Sequence, residues 1–165
     1  LLSYEEDTAG GLMTTEPVIL PPTATVAEAL AHVRNPDLSP ATASQVYVCR
    51  PPTDTPTGRY LGVAHLQRLL REPPATLISA VVDTDIAPLG PDVPLHAITS
   101  YLATYNLVAV PVVDADDRLV GAVTVDDVLD HLLPAGWRET DHLAEQRAAV
   151  TEATRRAEGL GNGTA

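Results

Sequence analysis

Apolar and polar positions change period several times along the chain, and those changes delimit its elements. VYVC (46–49) and LVAVPVV (107–113) are continuous apolar runs, the pattern of strands covered on both faces by helices. TVAEALAHV (25–33) and PLHAITSYL (94–102) read as helices. Thr25 and Glu28 form a capping box, and Pro94 suits a first helical position because its missing N–H costs nothing there. RYLGVAHLQRLL (59–70) and RLVGAVTVDDVL (118–129) each pass from a strand into a helix. Two short strands, Val18–Leu20 and Ile86–Leu89, complete the pattern.

These segments are two copies of one β-α-β-β-α unit, so the fold class is α/β with tandem repeats. Thr25 aligns with Pro94 at an offset of 69, Val46 with Val110 at 64, and Gly62 with Gly121 at 59. The first copy therefore carries extra residues in two connections. NPDLSPATA (35–43) and PPTDTPTG (51–58) are the expected loops, and DADDR (114–118) is the shorter hairpin of the second copy.

Charge narrows the partners. The net charge of −12 is concentrated in residues 83–130, where nine acids face Arg118 alone. Such a surface repels nucleic acid and welcomes cations. The one cysteine, Cys49, excludes an internal disulfide and reads as a buried strand residue. No apolar run reaches the roughly 18 residues of a membrane span, and no segment has the parts of a signal peptide. The chain reads as cytoplasmic in character. Because it starts at Leu1 rather than Met, it is expected to be a piece of something larger.

A tandem unit ending in Gly-apolar-x-Thr-x-x-Asp resembles the CBS domain pair, or Bateman module, with Gly121, Thr124 and Asp127 on the motif. The resemblance spans residues 13–133. YEEDTAGGLMTTEPV (4–18) and GAVTVDDVLDHL (121–132) are similar to the MgtE-type magnesium transporters in particular. The resemblance implies a regulatory module rather than an enzyme, with an acidic helical domain before it, and a connecting helix and membrane pore after it. On that basis residues 1–12 are a linker, 13–75 and 76–133 the two repeats, and 134–165 a connecting helix and flexible tail. A homodimer formed through the helices, at the cytosolic face of a membrane, is the implied assembly.

Three roles compete at GAVTVDD (121–127). Thr124 and Asp127 make a second capping box, whose carboxylate also complements the helix dipole. For a nucleotide (ATP or AMP), Gly121 would admit the ligand to the backbone and the helix N-terminus would favour phosphate. The family pattern implies Thr124 on phosphate, Asp127 on ribose, and Val110 and Pro111 beside the base. For Mg2+, Asp126 and Asp130 share a helix face with Asp127 adjoining, and hard carboxylates with retained water suit that ion. PAGWRE (134–139) and Asn106 offer fewer acids than the family does. In the first repeat His65 and Arg68 replace the threonine and aspartate, so any nucleotide chemistry is expected in the second. His65 reads as a packed histidine. Mg2+ sensing with an adenine nucleotide, gating transport, leads; a soluble adenosine-nucleotide sensor is the alternative.

Overall fold

The computed structural model of the chain describes residues 3–133 and 140–161. In the first repeat β1 (Ile19–Leu20) lies parallel to β2 (Gln45–Cys49), and β2 pairs antiparallel with β3 (Tyr60–His65), Val46 opposite Ala64. In the second, β4 (Ala109–Val113) and β5 (Leu119–Thr124) pair antiparallel, Val110 opposite Val123. Every residue of β2, β4 and β5 is buried, which is why their sequences do not alternate.

α1 (Ala9–Leu12) precedes β1, and α2 (Val26–Val33) follows it, with the Thr25 hydroxyl accepting from the Glu28 amide at 3.2 Å. α3 (Pro40–Ala43) is a single turn capped by Ser39 within the first insertion, where the sequence reads as loop throughout. α4 (Leu66–Leu69) follows β3, and α5 (Leu95–Thr104) and α6 (Val125–Leu132) flank the second sheet. Pro94 caps α5 instead of opening it, its carbonyl accepting from Ala97 and Ile98. The strand expected at Ile86–Leu89 reduces to one bridge, Leu89 to Val112, parallel as in the first repeat.

The repeats complete each other's sheets. Thr14, which leads into the first repeat, pairs with Ala122 of β5. Asp83, which leads into the second, pairs with Val63 of β3. Thr14 and Asp83 are 69 apart and Val63 and Ala122 are 59 apart, so the exchange follows the repeat. Arg59 bridges Arg118, its own equivalent, as a pseudo-twofold axis requires. Each repeat has its own apolar cluster, and a third, with Tyr47, Cys49, Val63, Val113, Leu119 and Ala122, joins them. The second insertion stitches across this join. Buried Thr57 donates its amide to Leu119 O at 3.0 Å and accepts from the Leu119 amide, also at 3.0 Å.

Within residues 1–12, which the resemblance makes a linker, part of the chain packs against the second repeat. Ala9 is fully buried in the second repeat's cluster, and the amides of Ala9 and Gly10 reach Val93 O and Pro91 O. Cys49 is buried as expected, and burial pushes its thiol up to about 11. α7 (Thr140–Gly161) is the expected tail helix, and belongs to a separate unit; residues 144–159 are exposed. PAGWRE (134–139), with Glu139, and the last residues of the tail (162–165) lie outside the described residues. Among the described residues no helix is long and apolar enough to cross a membrane.

Candidate functional site

At the second repeat's turn, Thr124 ends β5 and Asp127 lies in the first turn of α6. The Thr124 amide donates to Asp127 Oδ2 at 2.9 Å, and the Asp127 amide donates to Thr124 Oγ1 at 3.2 Å. Both halves of the capping box are therefore made. Gly121 has a packing role. A Cβ there would meet Met13 Sδ and Thr14 O, both at 2.6 Å, because the lead-in strand crosses it. Val110 and Pro111, placed beside a base by the family pattern, are interior: Val110 is fully buried in the second core, and Pro111 is buried opposite Ala122. They pack within the sheet.

Asp126 and Asp127 are half-buried and Asp130 is exposed on α6. Among the described residues no group of three or more His, Cys, Asp or Glu side chains converges as a metal site. Asp127 spends a carboxylate oxygen on its own turn. These three residues do not fit a Mg2+ cage by themselves. Asn106 serves the backbone instead. At φ 52° it reverses the chain after α5, with the Leu107 amide donating to Leu102 O and the Asn106 amide to Ala103 O.

The cavities that sequence reasoning missed are at the first repeat's turn. Two adjoining clefts of about 390 and 400 Å³ share His65 and Leu107. Ser44, Gln45 and Val108 line one; Asp83, Asp85, Tyr101 and Tyr105 line the other. His65 Nε2 is 2.7 Å from Asp83 Oδ2, and Asp83 Oδ1 accepts from the Asp85 amide at 2.8 Å. The Asp85 amide and then His65 hold the Asp83 carboxyl below the usual carboxylate range, against a smaller opposing effect of burial. Tyr101 and Tyr105 meet edge to face at 5.1 Å, and the Tyr101 hydroxyl donates to Ala87 O.

Buried Gln45 is fixed between the repeats. Its Nε2 donates to Ala109 O at 3.3 Å and its Oε1 accepts from the Tyr47 hydroxyl at 3.0 Å. Burial raises the Tyr60 phenol, with Tyr47, Cys49, Asp83 and Tyr101 adding to the effect. Its hydroxyl has no hydrogen-bond partner among the described residues. Arg68 is not part of either lining and pairs with Glu72 at 2.6 Å. The signal for the site was in the repeat: His65 and Thr124 are equivalent, and so are Asp83 and Thr14. Reading His65 only as a departure from Thr124 hid the cleft that the exchanged lead-in builds.

Comparison with known proteins agrees with this architecture. The CBS domain family model matches residues 9–74 and 78–134. The magnesium transporter MgtE of Thermus thermophilus is 37% identical over 132 residues, covering 80% of this chain and 28% of that protein. MgtE of Enterococcus faecalis is 33% identical over 130 residues, covering 79% and 28%. The chain thus spans under a third of these curated relatives. Among solved structures, the cytosolic domain of the Mg2+ channel MgtE in complex with ATP superposes with a TM-score of 0.68 at 37% identity, covering 78% of this chain and 50% of that one.

Proposed function

The chain belongs to the CBS domain family, and from that premise we propose that its paired repeats are the regulatory module of a magnesium transporter, sensing Mg2+ and an adenosine compound to gate ion transport. The observation that carries this reading is the cleft at His65. It has the volume of a small-molecule site, an apolar and aromatic wall, and carboxylates able to accept from ribose hydroxyls. A relative 37% identical was solved with ATP, which favours the same ligand class here.

Cation sensing draws its support from the acid surplus of residues 83–130. In this proposal Asp126 and Asp130 contribute carboxylates to hydrated Mg2+, and further ligands come from an acidic helical domain of the longer protein. Thr124 and Asp127 are proposed as phosphate and ribose contacts at the second turn. The module would act as a homodimer on the cytosolic side of a membrane pore. An alternative is a soluble adenosine-nucleotide sensor, for which the cleft itself is the supporting observation.

Calorimetric titration with Mg2+, adenosine, AMP and ATP, with thermal unfolding alongside, tests these readings. The expected result is heat from at least one adenosine compound, the part bound at the first turn lost in Leu107→Glu and the part bound at the second lost in Asp127→Ala, and a melting temperature raised by millimolar Mg2+. Nucleotide binding unchanged in Asp127→Ala removes the ribose role of Asp127. No heat from any adenosine compound and no Mg2+ effect overturn the proposal.

A further inference from the structure

We propose that the His65 cleft selects an uncharged nucleoside over its phosphorylated forms. This rests on the reading that the cleft takes an adenosine compound, and it concerns which one. The walls contain the carboxylates of Asp83 and Asp85 but no arginine, and the chain has no lysine. His65 is the cationic candidate in the lining, and its Nε2 already faces Asp83 at 2.7 Å, so a protonated ring only neutralises that carboxylate.

The backbone offers a phosphate no better reception. The Leu66 amide, first in α4, donates to Ser44 O at 2.9 Å, and α4 is a single turn. Histidine stands where the second repeat has the Thr124 hydroxyl. Arg68 is committed to Glu72 outside the lining. A polyphosphate would therefore approach two carboxylates with at most the His65 ring to offset one of them, which costs affinity at any ionic strength that leaves near contacts unscreened.

A nucleoside meets none of this opposition. Tyr101 and Tyr105, edge to face at 5.1 Å, with Leu107 and Ile86, supply apolar surface for a base. Asp85, together with the lone pairs that Asp83 keeps beyond His65 and the Asp85 amide, can accept from the two hydroxyls of a ribose. Each lobe of the cleft, at about 390 and 400 Å³, is of small-ligand size.

The test is calorimetric titration of the whole chain with adenosine, AMP, ATP and Mg2+-ATP at fixed ionic strength, on wild type, Gln67→Arg and Leu107→Glu. Adenosine is expected to bind about tenfold or more tightly than ATP, with AMP between. Gln67 is an exposed residue of the lining, and Gln67→Arg is expected to narrow that ratio by raising ATP affinity. ATP or Mg2+-ATP binding as tightly as adenosine to wild type overturns the selectivity while leaving the adenosine-sensor reading intact. Adenosine binding that survives Leu107→Glu, in protein shown folded by circular dichroism, places the ligand elsewhere and overturns it too. Silence from every compound overturns this inference and removes the adenosine arm of the proposed function together.

Discussion

Asp127 and Thr124 cap each other: the carboxylate takes the Thr124 amide at 2.9 Å, and the hydroxyl takes the Asp127 amide at 3.2 Å. Thr124 is almost fully buried, so both amides would be poorly hydrated without this exchange. Asp127→Ala is expected to cost about 1 kcal/mol of stability in ligand-free protein, and Thr124→Ala a similar amount. A double-mutant cycle by urea unfolding should show coupling, because either change removes part of one reciprocal unit. Full additivity would mean that the two residues act separately.

The His65–Asp83 pair ties the second repeat's lead-in to the first repeat's turn. Asp83 titrates below its ordinary range in the folded chain. Its contribution is therefore complete above the unfolded value of roughly 3.9 and is lost as pH falls through the lower folded value. Asp114 behaves alike. Burial raises it, but the amides of Arg118 and Asp116 and the Arg118 guanidinium outweigh that and lower it. Stability should fall below about pH 4, and Asp83→Asn should flatten the fall. Because the pair is about one-third exposed, the loss at neutral pH should be about 1 kcal/mol or less. Denaturant midpoints measured from pH 7 to pH 3 check this.

Asn106 ends α5 with a left-handed residue that delivers Leu107 to the cleft. Glycine adopts that backbone freely and a β-branched residue does not. Asn106→Gly should be nearly neutral, whereas Asn106→Val should cost about 1–2 kcal/mol and weaken any ligand held against Leu107. Thermal unfolding and adenosine titration of both variants separate the outcomes; equal stability for the two would refute the cap.

Much of this architecture was legible in the chain because apolar runs, a repeated Gly and cap residues all point to local structure. The strands from Val46 and to Val113, and the capping at Thr25 and Thr124, needed no distant information. What failed was long-range. Nothing local says that Thr14 pairs with Ala122, or Asp83 with Val63, so the packing role of Gly121 was not legible in the chain. The strand at Ile86–Leu89 shrank to one bridge. His65 gained meaning only once Asp83 was beside it.

The exchanged lead-ins make the two motif glycines packing residues. At Gly121 a methyl group would press on Met13 Sδ, which can swing aside, and on Thr14 O, which cannot without loosening its bridge to Ala122. At Gly62, φ is 153° and a Cβ would meet Asp83 O at 2.7 Å as well as Val82 Cγ1, so strain adds to the clash. Gly121→Ala should cost about 1–3 kcal/mol by displacing the Met13–Thr14 segment. Gly62→Ala should cost more, since side chains rarely adopt that backbone, and should also lengthen His65–Asp83. Hydrogen exchange should then show the amides paired across each lead-in, Thr14 and Ala122 in one variant and Val63 and Asp83 in the other, losing protection first. Protection lost evenly over both sheets would mean that the glycines serve the fold as a whole and not the exchanged strands.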